Sequence, residues 1–208
     1  MRRALVFGGL AATGWRITEA LMADGISVDV VSSALTAQEQ EAEDEREFYF
    51  GRNSFFHRLA DASDCQPTDL VYFVDTIRAQ PDLRHRMEAK MLPIFENASQ
   101  IHASVYFFLS STDVYGGQIA DLHVPVKPDT PNGQSANQME LFFIANVKKL
   151  RPARALIFRT DGGARTAYYA AQFAKATFQG LEVVHYFSDQ PETAAVHQKL
   201  LRFVRPSN

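Results

Sequence analysis

Short apolar runs that end in glycine, serine or an acid alternate along this chain with stretches whose apolar residues recur at helical spacing. Ala4 to Phe7 is the first such run; it breaks at Gly8-Gly9 and passes into a helical pattern with Ile17, Ala20 and Leu21 on one face. That helix is expected to reach about Ala23 and to end at Asp24-Gly25. Ile26 to Val31 reads as the second strand. Phe48 to Phe50, closed by Gly51, reads as a short strand, and Asn53 to Ala62 as a helix capped by Asn53 or Ser54. Leu70 to Val74 is another strand, and Pro81-Asp82 opens a helix to about Ala98, kinked at Pro93. Val105 to Leu109 is almost wholly apolar, as befits a strand buried on both faces of a parallel sheet. Then come a helix from Gln134 to Leu150, a strand from Arg154 to Arg159 and a helix from Thr166 to Phe178, ending at Gly180. Leu181 to Phe187 is the last strand, and Pro191 opens a closing helix through about Val204. The rhythm predicts an α/β fold: one doubly wound domain, a mostly parallel sheet of about seven strands with helices on both faces.

Composition narrows the classes of function. The chain has 208 residues, a net charge of −3 and no basic stripe, so nucleic acid is not an expected partner. Cys65 stands alone, which excludes an internal disulfide and argues against a cysteine-rich metal site. The six histidines (His57, His85, His102, His123, His185 and His197) show no metal-ligand spacing. No apolar run has membrane-spanning length and the start lacks the pattern of a signal peptide, so a cytoplasmic protein is expected. Residues 38–47 are the one charge run; they read as a solvated helix face or loop, or alternatively as an acidic patch for a partner.

In such sheets ligands sit beyond the carboxyl ends of the strands, where the strand order reverses. The candidate residues are therefore those at strand tips. The turn Gly8-Gly9-Leu10-Ala11-Ala12-Thr13-Gly14 leads from strand to helix, and a helix N-terminus offers bare amides and a positive dipole end to a pyrophosphate. Its G-x-x-A-x-x-G pattern is one residue short of a dinucleotide fingerprint, and a turn of this kind can also bind nothing. The tip of the second strand, where an acid would hold a ribose 2′-OH, carries Ser32-Ser33 instead; Asp29 lies inside that strand. Arg52, Asp75, Thr76, Ser110 to Tyr115 and Thr160 complete the set of tips. Residues 116–134 form a Pro-, Gly- and Asp-rich loop of a length that usually signals function.

Two of these tips carry a resemblance. The first turn and Ser110-Ser111-Thr112-Asp113-Val114-Tyr115-Gly116 resemble the extended short-chain dehydrogenase/reductase family, the sugar-nucleotide epimerases and dehydratases with a Rossmann-like NAD(P)-binding fold. The second match is the more specific, and the likeness runs to about Arg159, with a weaker echo in Val184 to Asp189. It implies a nucleotide-binding core over 1–160 and a short substrate-side segment over 161–208. It also implies a cofactor, NAD or NADP, held by Gly8, Ala11, Ala12, Thr13, Gly14, Ser32, Ser33, Arg52, Asp75, Thr76 and Ser110. Ser111 matches the family's catalytic serine. Pairing of the two long helices, about 82–98 and 134–150, into a homodimer is a further implication.

The departures carry equal weight. Ala11 adds a methyl where the family's second glycine lets backbone approach the pyrophosphate, at a cost of about 1 kcal/mol. Ser32 stands for the ribose acid, and Arg52 follows Gly51 where an adenine-contacting acid is expected. Pro131-Asn132-Gly133-Gln134-Ser135-Ala136 keeps the frame of the family's Tyr-x-x-x-Lys helix start, with Asn132 for the tyrosine, Ala136 for the lysine and Glu140 retained. Acid–base help of this kind is worth about 10²–10⁴-fold, so the ordinary mechanism should be crippled. Ser111 with Tyr115 or Asp113 is the expected substitute. Three functions remain: an atypical NAD(P)-dependent oxidoreductase or isomerase on a small carbonyl or hydroxyl substrate, a non-catalytic binding or regulatory relative, and a redox-neutral enzyme using the cleft without a nicotinamide.

Overall fold

The computed structural model describes residues 2–116, 125–150, 154–175 and 179–186. Its strands are β1 (Arg3–Phe7), β2 (Ser27–Val31), β3 (Phe56–Leu59), β4 (Leu70–Phe73), β5 (Val105–Ser111), β6 (Arg154–Thr160) and β7 (Leu181–Tyr186). They form one seven-stranded sheet in the order β3-β2-β1-β4-β5-β6-β7, and every pairing is parallel. The helices are α1 (Gly14–Ala23), α2 (Ala37–Phe50), α3 (Pro81–Glu96), α4 (Ala98–Ile101), α5 (Pro131–Val147) and α6 (Thr166–Gln172). This is the doubly wound α/β architecture that the alternation of patterns predicts. The order turns back between β1 and β4, which puts the crevice of the fold above that pair.

Strand side chains alternate between two cores. On one face Val6, Val30, Tyr72, Phe107 and Phe158 pack with Ile17 and Leu21 of α1 and Tyr169 of α6. On the other, Leu5, Phe7, Phe73 and Phe108 pack with Met87, Met91 and Phe95 of α3 and Met139 and Phe143 of α5. Central strands buried from both sides are why β1, β4 and β5 read as unbroken apolar runs. Helix α1 ends as expected, with Gly25 at φ +75°. Pro93 falls in the last turn of α3, which ends three residues later.

One stretch departs from the sequence reading. Phe48, Tyr49 and Phe50 are the end of α2, and the third strand is Phe56–Leu59 within the span expected to be helical. Thr36 and Glu39 form a reciprocal capping box that starts α2, a helix of 14 residues that contains the charge run. β3 is an edge strand whose outward residues are polar. Arg58 pairs with Asp44 at 2.7 Å and with Glu47, while His57 and Arg3 approach the buried Asp29 at 3.4 Å. Much of the acidic run is thus a clamp on β3.

The helix expected over 191–204, Phe187, His123, His197 and the Ser188-Asp189 end of the weaker likeness lie outside the described residues. No helix among the described residues is long and apolar enough to cross a membrane. Nor, among them, does any group of three or more His, Cys, Asp or Glu converge as metal ligands.

Candidate functional site

The glycine turn is shaped by the chain's own backbone. A Cβ on Gly14 would lie 1.8 Å from the Gly8 carbonyl oxygen, and one on Gly8 would lie 2.2 Å from that of Val74. Both glycines are therefore needed to lay the turn against β1 and the tip of β4, whatever else the turn does. Ala11 is buried, its amide donating to Gly8 and its carbonyl accepting from Trp15. The amides of Ala12, Thr13 and Gly14 make no hydrogen bond among the described residues, and no side chain caps the helix at Thr13. The first turn of α1 is open.

Beside it lies a cavity of about 360 Å³ at the carboxyl ends of β4, β5 and β6. Thr13 forms one wall; Asp75, Thr76 and Ile77 follow β4; Ser110 to Asp113 follow β5; Thr160 to Gly162 follow β6; Asn132 and Thr166 come from α5 and α6. The Ser111 hydroxyl accepts from the Asp113 amide at 3.1 Å, so it starts the 3₁₀ turn Thr112–Tyr115 that presents Asp113. Asn132 Nδ2 donates to Asp113 Oδ2. Thr76 is fully buried and its hydroxyl has no partner among the described residues. Ser111, Asp113, Thr76, Ser110, Thr13, Asp75 and the tyrosine-position residue Asn132 are thus brought to one cavity.

Helix α5 sits hard against this rim. A Cβ on Gly133 would lie 2.2 Å from the Asp113 carbonyl oxygen. Ala136 is fully buried against Val114, Tyr115 and Ile77 and faces an apolar cluster.

Tyr115 is not among the cavity's lining residues. It is 1% exposed, with Arg159 Nη1 donating to its hydroxyl and His185 Nδ1 3.0 Å from the same oxygen. Arg159 is in turn held by Glu140, Nε to Oε1 at 2.8 Å and Nη2 to Oε2 at 2.6 Å, and Ser110 donates to Glu140 Oε1 at 2.6 Å. Burial works against the charge on Arg159, and the Glu140 carboxylate outweighs it and raises the guanidinium's pKa. The Ser110 hydroxyl thus points to the core and Tyr115 belongs to a buried polar network.

The opposite end of the crevice is spanned by the chain's own charges. The Ser33 amide donates to the buried Glu43, and the Ser33 hydroxyl donates to Asp75 Oδ2 at 3.3 Å. Ser32 is turned into its own loop, its hydroxyl accepting from the Ala34 amide. Arg78 holds Asp75 at 3.1 Å and reaches Glu39 at 3.5 Å, while Lys90 donates to the Ala34 carbonyl. Asp75 has φ +56°, and burial raises its pKa against the pull of Arg78. Both serines expected to meet a ribose are already engaged.

Arg52 requires a correction. It precedes β3, at the amino end of that strand, whereas the cleft lies at the carboxyl ends. β3 ends at Leu59, and two residues beyond it stands Asp61, which caps the turn Ala62–Asp64 by accepting from the Ser63 amide. An acid does therefore follow the third strand. Sequence reasoning missed it, along with Asp161, Thr166 and Arg78; only Asp61, in an Asp-Ala-Ser-Asp capping pattern, left a signal.

No protein-family model matches the chain, and no curated protein matches it. Solved structures do. UDP-glucuronic acid 4-epimerase from Bacillus cereus in complex with NAD superposes with a TM-score of 0.62 at 16% identity, over 76% of this chain and 55% of that one. UDP-N-acetylglucosamine 4-epimerase from Methanobrevibacter ruminantium M1 gives 0.63 at 13%, over 91% and 86%. The UDP-Glc/GlcNAc 4-epimerase from Campylobacter jejuni gives 0.59 at 17%, over 77% and 53%. The fold is that of the sugar-nucleotide 4-epimerases. The chain spans little more than half the length of the Bacillus and Campylobacter enzymes. At these identities the likeness is one of architecture.

Proposed function

We propose that this chain binds NAD or NADP across the crevice and acts as an atypical oxidoreductase or isomerase on a small carbonyl or hydroxyl substrate. One observation carries the reading: the amides of Ala12, Thr13 and Gly14, which make no hydrogen bond among the described residues, adjoin a polar cavity lined by Thr13, Ser111, Asp113 and Thr160. These residues fit the phosphate and reactive half of a dinucleotide. The adenosine half would have to displace the Arg78–Glu39 contact or pass outside it. When bound, the nicotinamide would supply hydride exchange. Ser111 would hydrogen-bond the substrate oxygen, and Asp113, steadied by Asn132, would accept or return the proton at Oδ1. Tyr115, the other expected relay, would act through Arg159 on the stiffness of the rim.

Titration of NADH and NADPH, followed by nicotinamide fluorescence, tests the binding half. Saturation in the micromolar range with either, and loss of turnover in Ser111→Ala, is expected; flat curves with both remove the reading and leave a redox-neutral use of the cleft.

The burial of Ala136 in an apolar cluster favours a second reading, a ligand-responsive module without turnover. It predicts saturable nucleotide binding that Ser111→Ala leaves intact, with no carbonyl substrate consumed. In either case α3 and α5 pack side by side and present the exposed Leu92 and Leu141, and we propose that they pair with a second copy. Sedimentation of Leu141→Lys as a smaller species than the parent is the expected result.

A further inference from the structure

The acids of α2 fall into two groups. Glu39 closes the capping box, the buried Glu43 accepts from the Ser33 amide, and Asp44 and Glu47 hold Arg58. Glu41 and Glu45 are exposed and make no hydrogen bond or ion pair among the described residues. Positions 41, 45, 48 and 49 share one helical face, so these two carboxylates are followed, one turn on, by Phe48 and Tyr49. Phe48 is 85% exposed and Tyr49 80%, whereas Phe50 turns inward and stacks on Phe56 at 4.7 Å. The stripe is about 12 Å long.

Helix α1 supplies the facing wall. Trp15 packs on the core and stacks its ring on Tyr49 at 6.2 Å. With Ala42, Glu45, Arg46 and Phe48 these two rings line a groove of about 730 Å³. The two cations here are already engaged: Arg16 lies over the Trp15 ring at 5.9 Å, and Arg46 donates to the Leu10 carbonyl at 2.9 Å. Ile17 and Leu21 of α1 and Phe50 of α2 pack on the sheet face opposite α3 and α5, so pairing through Leu92 and Leu141 would leave the groove open. Exposed rings rimmed by charge are the composition of a protein interface.

We propose that the groove between α1 and α2 docks a short basic segment of a partner protein, its apolar anchor against Trp15, Phe48 and Tyr49 and its Lys or Arg on Glu41 and Glu45. Charge decides the class of occupant. The two carboxylates attract Lys or Arg, and the exposed faces of Phe48 and Tyr49 add a cation–π surface. The same carboxylates repel nucleic acid and an anionic membrane. A second copy offering this face would bring the same unpaired acids with it. The proposal goes beyond the reading of the cleft and requires neither nucleotide nor turnover.

A random peptide library displayed on phage tests this, panned against the parent chain with the double variant Phe48→Ser, Tyr49→Ser as counter-selection. Enriched peptides are expected to share an apolar residue with Lys or Arg within about four positions. A tryptophan-free synthetic consensus peptide is expected to shift the fluorescence of Trp15, the sole tryptophan. Tyr49→Ser should weaken that peptide by about ten-fold or more, the loss of one anchor. Glu41→Gln with Glu45→Gln should weaken it by about two- to five-fold, and more at low salt. All these side chains are exposed, so thermal melts are expected to match the parent. Absence of enrichment over the double variant overturns the proposal, as does an acidic or uncharged consensus, or a peptide whose affinity Tyr49→Ser leaves unchanged. Sedimentation addresses the other occupant: self-association that Tyr49→Ser abolishes assigns the face to a second copy and likewise overturns it. NADH binding is read in its own titration, and its outcome bears on the cleft alone.

Discussion

Glu140 and Arg159 meet with both carboxylate oxygens on two guanidinium nitrogens, at 2.8 and 2.6 Å, inside the sheet's edge between β6 and α5. Glu140 is 2% exposed and Arg159 9%, so removing one partner leaves the other charged and dry. Glu140→Ala is expected to cost about 3–5 kcal/mol, and Arg159→Met a similar amount. The double variant Glu140→Leu with Arg159→Met should recover much of that loss. Urea denaturation of the four proteins measures both effects, and equal, additive losses would contradict the buried-pair account.

The resemblance noted in the sequence invites placing a Tyr-x-x-x-Lys pair at the start of α5, and the packing argues against it. Ala136 is fully buried beside Val114 and Tyr115, so Asn132→Tyr with Ala136→Lys would drive an ammonium into an apolar cluster. That variant is expected to lose about 2–4 kcal/mol of stability and to gain no turnover. A thermal melt beside an assay with NAD and a hydroxylated substrate decides it.

Asp75 gives a pH dependence of definite sign. Burial raises its folded-state pKa above the unfolded value, with Arg78 and Ser33 pulling the other way. The folded state then holds the proton more tightly. Its contribution to stability is full below the ordinary carboxylate value near 3.8 and falls as pH rises through the raised value. Asp75→Asn cannot titrate, so the stability of the parent relative to this variant should decline across that window and level off above it. Urea midpoints from pH 3 to pH 8 would show it; a difference that grows with pH would reverse the assignment.

How much of this was legible in the sequence depended on what held each element. β1, α1, β4 and β5 announce themselves because their apolar residues face two cores and their glycines answer backbone contacts. β3 did not. His57 and Arg58 stand on its opposite faces, paired to acids of β2 and α2, so its pattern is written in charge rather than in apolar alternation. Phe48 and Tyr49 look like strand residues and yet lie exposed on the end of α2, since the Thr36–Glu39 box had already begun a helix that nothing interrupts. That slip displaced the tip of the third strand, and with it the choice of Arg52 over Asp61. In the cleft, Ser111, Asp113, Thr76 and Asn132 were legible as strand-tip or frame residues. The engagement of Ser33 was not, because Glu43 and Asp75 come to it from 10 and 42 residues away, whereas Ser32 turns onto the Ala34 amide of its own loop. Tyr115 illustrates the same limit: only the fold brings it to Arg159.

The close seat of Gly133 on the Asp113 carbonyl fixes the described wall of this mouth on that side. Pro131–Val147 is one continuous helix whose inner residues Met139 and Phe143 are locked in the interior, so enlarging the opening would mean dragging the whole rod outward. Bulk is therefore the trait least open to change, whereas polarity can drift one side chain at a time. Descendants of this chain should diversify in which charges their guests carry long before they diversify in guest size.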